Sequence, residues 1–292
     1  MGGAVPLNRC LSREITVPGR KTFLPQPAPD LPLNEQGRHY HLDCGPGDIA
    51  PYVLTCGDPA RARRLARLLD RITVRRRYRE FLTYTGEYRG IPVSIMATGI
   101  GPDNTAIAVV EAAQCAAPLT FIRLGSCGAL QPQIEIGDLI ITAEAWRDEN
   151  TSHYYAPDTG PVPAHPDVLN SLMQAAEELQ VPHHLGATCT TGDFYAGQGR
   201  QVPGFPTLEP GKVERLRRAG VLNLEMEMAV YLTLAQVSSY SLRAGGACAV
   251  FTNRVTGDKA FGLKRQRREA ERRLLAVGLR ALEILYARDH RP

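Results

Sequence analysis

The chain has no long apolar run, no paired cysteine spacing and very little lysine. No segment approaches the ~20 consecutive apolar residues of a membrane helix, and the N-terminus has no apolar signal core. We therefore expect neither membrane association nor secretion. The seven cysteines show no C-x-x-C spacing, which argues against a zinc site or a disulfide framework. Reduced thiols of this kind predict a cytoplasmic protein.

Positive charge is only slightly in excess. Only four of the 34 basic residues are lysines, and the net charge is +4. This excess does not predict binding to a polyanion, although it suits a small anionic substrate. The most basic stretch, LKRQRREAERR at residues 263–273, carries Glu269 and Glu271 at helical spacing. It is typical of a solvated helix face, so we expect no nucleic-acid partner.

The first 38 residues differ in composition from the rest. Five prolines fall between residues 18 and 32 without a hydrophobic period, so we interpret residues 1–38 as a flexible or wrapping extension. Residues 39–292 form one predicted domain, in which apolar runs alternate with helical stretches. This alternation predicts an α/β fold with a sheet covered on both sides. The runs are PYVLTC, IPVSIMATG, TFIRLGS, GDLIITAE and GACAVFTN, and the helical stretches are 59–70, 104–116, 166–180, 212–219, 224–237 and 264–287.

The segment YVLTCGDPAR, residues 52–61, predicts a strand, a tight turn and a helix start. Asp58 is a suitable N-cap and Pro59 a suitable first helical residue. The cationic Arg61 in the first turn opposes the helix dipole unless an anion lies between them, and phosphate would resolve that conflict. The alternative is a solvent-facing arginine on an amphipathic helix that is rich in arginine.

A second arginine, Arg123, lies inside the apolar run TFIRLGSCGALQP. An unpaired buried guanidinium would cost several kcal/mol, so this charge needs a partner. Gly125 and Gly128 allow the backbone to approach a ligand closely, and Ser126 adds a hydroxyl. The alternative is an arginine that pairs with a core carboxylate beside an ordinary turn.

Two glutamates, Glu225 and Glu227, lie in the apolar stretch LNLEMEMAV at residues 222–230. On a helix they are about 200° apart and cannot share a face, whereas on a strand they would. A buried carboxylate needs strong donors, and two vicinal sugar hydroxyls would supply a pair of them. The alternative is a glutamate that pairs with a nearby arginine.

The segment TTGDFYAGQGR, residues 190–200, is a candidate base-binding loop. Phe194 can stack on a planar ring, and Gln198 and Arg200 can point the same way from an extended backbone. The amide can accept from the N3–H of an imide such as uracil and donate to its carbonyl, while the arginine stabilises charge on a departing base. A polar surface loop would have a similar composition.

Taken in order, the motifs GDPAR, YREF, TGIG, RLGSCGALQP, DFYAGQGR, NLEMEMA and TNR resemble the nucleoside phosphorylase superfamily, and within it the branch that cleaves uridine. The likeness runs from about Tyr40 to Asp258. It implies a single three-layer α/β/α domain with a central mixed sheet. It also implies that phosphate is bound by Gly57, Arg61, Arg123 and Ser126, together with Arg79 from a neighbouring subunit.

The same resemblance assigns the sugar and the base. The implied ribose residues are Met226 and Glu227, with Glu225 nearby and His41 crossing to the neighbour's 5′-hydroxyl. The implied base residues are Phe194, Gln198, Arg200, Arg254 and the backbone of Cys127 and Gly128. Arg123, Glu227, Gln198 and Arg200 would then carry catalysis.

The resemblance implies reversible phosphorolysis of uridine to uracil and ribose 1-phosphate, with deoxyuridine and thymidine as further candidates. Phosphate is the co-substrate, and no metal or organic cofactor is expected. Some members build a potassium site partly from the glutamate equivalent to Glu80, but TGIGPDN is one residue shorter than the corresponding bacterial segment. A homo-oligomer, dimer or hexamer, with shared active sites is implied.

Three alternatives remain open at this point. Relatives that act on purines place an aspartate near the end of the late strand, where this chain has Asn253 and Arg254. Asp193 before Phe194 is reminiscent of the hydrolytic purine branch, and Leu224 replaces a common tyrosine. Purine phosphorolysis, nucleoside hydrolysis and a nucleoside-binding sensor without turnover are therefore the competing hypotheses.

Overall fold

In the computed structural model, which describes residues 14–17, 20–23, 30–157, 159–257 and 263–291, a ten-stranded mixed sheet carries helices on both faces. The strands are β1 (Glu14–Val17), β2 (Arg20–Phe23), β3 (Tyr52–Cys56), β4 (Arg71–Tyr78), β5 (Phe81–Tyr88), β6 (Ile91–Ala97), β7 (Thr120–Ala129), β8 (Leu139–Asp148), β9 (Val162–Pro163), β10 (His183–Thr191), β11 (Asn223–Glu225) and β12 (Arg243–Asn253). The helices are α1 (Pro59–Ala66), α2 (Pro102–Cys115), α3 (Pro166–Glu178), α4 (Lys212–Arg218), α5 (Met228–Val237) and α6 (Lys264–Asp289).

The sheet closes on itself at one end. Its strand order is β11-β10-β8-β12-β7-β3-β6-β5-β4, and β9 pairs with β8. Because β11 pairs with β7 as well as with β10, the strands β7, β12, β8, β10 and β11 form a closed ring. Parallel pairs such as β3 with β6 and β7 are combined with antiparallel pairs such as β12 with β8. The predicted mixed sheet is therefore confirmed.

Alternate strand residues face two separate helix layers. Leu54 and Ile122 belong to the core cluster that includes residues of α1, α3 and α6. Their chain neighbours Val53 and Phe121 belong to the cluster formed with α2 and α5. This alternation is what a strand period of two produces when both faces are covered. The three-layer α/β/α prediction is thus confirmed.

Most helix positions follow from local signals. Asp58 caps α1 by accepting hydrogen bonds from the backbone N–H groups of Ala60 and Arg61, as GDPAR predicts. The predicted helix at 224–237 is wrong at its start, because Asn223–Glu225 forms strand β11 and α5 begins only at Met228. Backbone pairing with β10 and β7 outweighs the helical pattern there.

The arginine-rich segment before Arg79 forms the strand at the open edge of the sheet. In β4, consecutive residues alternate between exposed and half-buried up to Arg76, and the strand pairs only with β5 in the described part of the sheet. Strands β4, β5 and β10 are absent from the predicted apolar runs, because polar and charged residues interrupt their patterns.

The N-terminal extension contains one short antiparallel pair, β1 with β2. Residues 1–13, 18–19 and 24–29 lie outside the described residues, so the proposed role of residues 1–38 stays a prediction. Within the described ranges, the six cysteines Cys44, Cys56, Cys115, Cys127, Cys189 and Cys248 are free and buried. No helix among the described residues has the length and apolar character needed to cross a membrane.

Candidate active site

A cavity of about 670 Å³ opens where several strands end. Parallel strands β3, β6, β7 and β12 all point their carboxyl ends toward it, which is where α/β sheets commonly bind ligands. Its walls bring together twelve of the residues predicted from the sequence. They are Gly57, Arg61, Arg123, Ser126, Cys127, Gly128, Phe194, Gln198, Arg200, Glu225, Met226 and Glu227.

Arg61 and Arg123 both line the cavity. Arg61, from the first turn of α1, is only 4% exposed and donates from Nη1 to the carbonyl oxygen of Leu124 at 2.9 Å. Gly57 precedes that turn, and a Cβ there would lie 2.7 Å from the carbonyl oxygen of Gly99. Only glycine therefore allows the two backbone segments to approach so closely. The wall formed in this way combines buried positive charge with open backbone.

Arg123 forms buried ion pairs with both glutamates of the EME segment. Its Nε donates to Glu225 at 3.0 Å, and its Nη2 contacts the Glu227 carboxylate. Burial disfavours the charged guanidinium, but Glu227 and Glu225 outweigh burial and raise the pKa of Arg123. The alternative, an arginine that pairs with core carboxylates, is therefore confirmed. Arg123 also lines the cavity, and its role in phosphate binding stays a prediction.

The two glutamates have different partners. Glu225 is at the end of β11 and accepts backbone N–H bonds from Glu227 and Met228, plus the Thr190 hydroxyl. Glu227 accepts from the Gly101 N–H at 2.8 Å and otherwise contacts Arg123. Burial is the main cause that raises the pKa of Glu227; Arg123 lowers it and Glu225 raises it further. Glu227 is thus the carboxylate with capacity left for a ligand.

Another part of the cavity wall comes from the loop of residues 192–200, through Phe194, Gln198 and Arg200. Gln198 is 4% exposed, and the Arg200 guanidinium lies 4.3 Å from the centroid of the Phe194 ring. Asp193 accepts a hydrogen bond from the Gly197 N–H at 2.8 Å, which closes the loop. Its carboxylate therefore serves the backbone of the turn that carries Gln198.

Arg254 lies behind this loop and lines an adjoining cavity with Phe194 and Arg200. Its Nη2 donates to the carbonyl oxygen of Gln198 at 3.1 Å, and its Nη1 is buried without a hydrogen-bond partner among the described residues. Burial, and then the nearby charge of Arg200, lower the pKa of Arg254 to about 10. Two adjacent guanidinium groups with unused donors favour a ligand that carries carbonyl oxygens.

His41 and Arg79 lie outside both cavities. The Nδ1 atom of His41 is 2.6 Å from the Glu111 carboxylate, and the exposed Arg79 donates from Nη2 to the Tyr40 hydroxyl at 3.2 Å. Tyr40 also makes an edge-on ring contact with His41 at 5.0 Å, so Tyr40 links the two residues on one surface. Their predicted role in a neighbouring subunit stays untested.

Several lining residues were not predicted from the sequence. Gly99, Ile100 and Asn104 belong to the turn that starts α2, and Leu224, Phe251 and Thr252 come from β11 and β12. TGIGPDN does contain a detectable signal, because Gly99 and Gly101 have positive φ values of 77° and 103° directly before the first helical residue. Leu224 and Phe251 are apolar, and Thr252 lies in an apolar strand, so none of the three stands out on its own.

Glu80 also lines the cavity, beside Gly99 and Asn104. Across the described ranges, no group of three or more histidine, cysteine, aspartate or glutamate side chains is arranged to hold a metal ion. The expectation of potassium near Glu80 therefore stays a prediction.

The comparisons with known proteins agree with this arrangement. The family model described as "Phosphorylase superfamily" matches residues 51–283, which contain nearly all of the cavity-lining segments. The chain belongs to the phosphorylase superfamily. Among superfamily members, it is 46% identical to the uridine phosphorylase of Thermococcus kodakarensis over 260 residues, which cover 88% of this chain and 90% of that relative.

Two further members of the superfamily bear on the type of nucleoside. The guanosine phosphorylase of Halorubrum lacusprofundi is 33% identical over 219 residues, covering 75% of this chain and 85% of that relative. The crystal structure of a Trypanosoma brucei nucleoside phosphorylase that shows uridine phosphorylase activity matches with a TM-score of 0.79. That match is 27% identical and covers 87% of this chain and 99% of the other.

Proposed function

We propose that this protein catalyses the phosphorolysis of uridine. Inorganic phosphate attacks C1′ from the face opposite the base, a C1′–O bond forms, and the C1′–N1 bond breaks to give ribose 1-phosphate and uracil. One observation carries the proposal: a single cavity is lined by the arginines Arg61 and Arg123, by Glu227, and by Gln198 and Arg200. An in-line displacement requires an anion, a sugar and a base in that order, and these three sets of residues are proposed to bind them.

Each part of the cavity has a distinct task. The two guanidinium groups hold the phosphate below the sugar, where its charge also stabilises the positive charge that develops at C1′. The Glu227 carboxylate accepts from the 2′- and 3′-hydroxyls and fixes the sugar. The electrons of the broken bond go to the base, and Arg200 disperses that charge until the base takes up a proton. Positioning and electrostatics thus replace a protein nucleophile.

A pyrimidine with an imide edge suits the base end better than a purine. The Gln198 amide can both accept and donate, and the spare donors of Arg254 favour carbonyl oxygens. Asn253 stands near the position where purine-specific relatives place an acid. Its amide donates to the carbonyl oxygens of Gln131 and Ile134, and its oxygen accepts from the backbone after it. The Asn253 side chain is therefore already hydrogen-bonded to the backbone, and an amide has no acidic proton with which to protonate a purine.

Hydrolysis is the less favoured chemistry. A nucleosidase needs a water and a base but has little use for Arg61 and Arg123 aimed into one cavity. Asp193, the residue reminiscent of the hydrolytic branch, is engaged by the Gly197 N–H. Both observations support phosphate as the attacking group.

The charge balance supports a shared active site. Around the proposed phosphate position, the guanidinium groups of Arg61, Arg64 and Arg123 pair with three carboxylates, those of Glu225, Glu227 and Glu271, so their charges cancel. A phosphate dianion would then leave this group of charges with a net negative charge unless another cation were present. Arg79 of a second copy would supply it, so we propose a homo-oligomer of at least two subunits.

The test is a phosphate-dependence assay. Uridine, thymidine, inosine, guanosine and adenosine are incubated with and without inorganic phosphate, and free base is measured. We expect uracil release only with phosphate. Release without phosphate would instead identify a nucleosidase, a preference for guanosine or inosine would identify a purine enzyme, and no release from any substrate would identify a binding protein.

The expectation that turnover requires no metal is tested by a separate measurement. We expect uridine turnover to survive exhaustive dialysis against a chelator. Replacing potassium in the buffer by choline then tests Glu80, because a loss of turnover that potassium restores would assign a potassium site.

A further inference from the structure

Glu271, on the C-terminal helix α6, lies between two arginines of α1. Its carboxylate oxygen Oε1 is 3.6 Å from the Nε of Arg61 and 2.6 Å from the Nε of Arg64. Arg61 faces the cavity, whereas Arg64 lies on the outer surface with 44% of its side chain exposed. The buried carboxylate of Glu271 therefore links Arg61, which lines the cavity, to the surface residue Arg64.

Arg61 has few other partners. Its side chain is 5% exposed, and its Nη1 donates to the Leu124 carbonyl oxygen. Its Nε is buried and has no hydrogen-bond partner among the described residues, so the ion pair with Glu271 is what restrains that side of the guanidinium. A long side chain held at one hydrogen bond alone would rotate more freely, because arginine has many rotamers.

Glu271 itself is held firmly. It is 8% exposed and takes two contacts from Arg64, whose Nη2 also reaches Asp58 at 3.2 Å. Asp58 caps α1 three residues before Arg61. Helix α6 packs against the sheet through buried residues such as Leu274 and Leu282, so the carboxylate is fixed relative to the strands.

We propose that Glu271 is a positioning residue, which holds the Arg61 guanidinium toward phosphate in the reaction proposed above. Glu271 makes no contribution to the wall of the main cavity and so acts through Arg61. Its removal has two opposing effects on phosphate. Loss of the restraint on Arg61 weakens phosphate binding, whereas loss of a negative charge strengthens it.

A charge-conserving double variant separates the two effects. Glu271→Gln combined with Arg64→Gln removes one negative and one positive charge together, so that mainly the restraint on Arg61 is lost. The control is Glu269→Gln combined with Arg272→Gln, which removes an exposed arginine–glutamate salt bridge within α6; neither residue pairs with Arg61 among the described residues. Circular dichroism melting establishes that both variants are folded.

We expect the Glu271/Arg64 variant to raise the KM for phosphate about tenfold, equivalent to about 1.4 kcal/mol. The KM for uridine should stay within about twofold in both variants, and the KM for phosphate within about twofold in the control. An unchanged or lowered KM for phosphate in the Glu271/Arg64 variant overturns the proposal. A parallel rise in the KM for uridine also overturns it, because it indicates general damage.

A second measurement tests whether Glu271 acts through Arg61. In an Arg61→Gln background, adding Glu271→Gln should raise the KM for phosphate by less than about twofold, because the group it positions is already absent. Equal, additive effects in the two backgrounds would mean that Glu271 acts independently of Arg61, which contradicts the proposal. This double variant also removes both charges of the pair, so neither is left buried alone.

Calorimetric titration with inorganic phosphate keeps this proposal separate from the proposed function. If wild-type protein binds phosphate but releases no uracil from uridine, the proposed function fails while the Glu271 test continues. The Glu271/Arg64 variant should then show about tenfold weaker phosphate binding than the control. Equal dissociation constants would overturn the positioning role whatever the substrate.

Discussion

The Glu225 carboxylate accepts a hydrogen bond from the backbone N–H of Glu227 at 2.9 Å, so one buried glutamate fixes the backbone of the other. Glu225 spends its remaining capacity on Met228, Thr190 and Arg123. The backbone of Glu227 is therefore fixed, and Glu227 lines the cavity. Two acids that are two positions apart in the sequence thus differ in role: Glu225 fixes the backbone, and Glu227 is the one proposed to bind the ligand.

The architectural glutamate should dominate stability. Glu225→Gln removes one of the two acidic partners of Arg123. It also places an amide N–H₂ group next to backbone N–H groups that need a hydrogen-bond acceptor. We expect a loss of about 3 kcal/mol in the free energy of unfolding, measured by urea titration. The control Glu178→Gln, on an exposed salt bridge, should change it by less than about 1 kcal/mol. Equal stability of the two variants would contradict the role given to Glu225.

Glu227, the glutamate proposed to bind the sugar, should control activity at acid pH. Glu227 must be ionised to accept from sugar hydroxyls, and burial raises its pKa above the ordinary value of 4.5. The active form is therefore lost as pH falls through that raised pKa, so kcat/KM for uridine should decline on acidification at a pH above 4.5. Glu227→Gln should lower kcat/KM by about 10²-fold, equivalent to ~2.7 kcal/mol.

The same variant supplies the control for the pH profile. Phosphate also titrates, but it does so identically with both proteins. Subtracting the Glu227→Gln profile isolates the protein group. If the variant keeps the full acid decline of the wild type, the decline belongs to phosphate or to another residue.

Gln198 should affect the nucleoside alone. Gln198→Ala removes the amide that is proposed to bind the base, and we expect kcat/KM for uridine to fall about 10- to 100-fold, as for one or two lost hydrogen bonds. The KM for phosphate should stay within about twofold. Gln174→Ala, on the exposed face of α3, is the control and should change neither constant. An equal loss for uridine and phosphate would refute the division of the cavity into two ends.

Subunit mixing tests the shared site. In the proposed shared site, Arg79→Gln impairs only the active site of the neighbouring protomer. Glu227→Gln impairs only the active site of its own protomer. After joint refolding of equal amounts into dimers, half of the dimers are hybrids with one intact site each, so activity should recover to about a quarter of the wild type. Light scattering should show at least a dimer. Recovery no greater than the sum of the two parents, or an active monomer, would rule out a shared site.

Local signals in the sequence account for much of the fold. GDPAR places the start of α1 because capping and proline preferences act within four residues. The boundary at Glu225 could not be predicted in the same way. Strand β11 has three residues, and its partners in β10 and β7 are about 35 and 95 residues away in the chain. Pairing across such distances leaves no local period.

The site residues also divide into those with a local signal in the sequence and those whose role depends on distant contacts. Arg61, Arg123 and Glu227 stand out in the sequence because each places a charge where a helix start or an apolar run disfavours it. The contact between Arg61 and Glu271 joins residues 210 positions apart, and nothing in LKRQRREAERR distinguishes Glu271 from Glu269. Burial separates them, since the Glu271 side chain is 11% exposed and the Glu269 side chain 42%.

The arginine-rich strand β4 has a consequence beyond the active site. It is the last strand of the sheet order, and among the described residues no strand pairs with its far side. Arg71, Arg75, Arg76 and Arg77 lie along this rim and outnumber the carboxylates of Glu87 and Asp48 that pair with two of them, so the rim is positively charged. Two copies that meet rim to rim would repel each other before hydrogen bonds could form. A run of arginines at such an edge is typical of the charged edge strands with which proteins disfavour association through β-pairing.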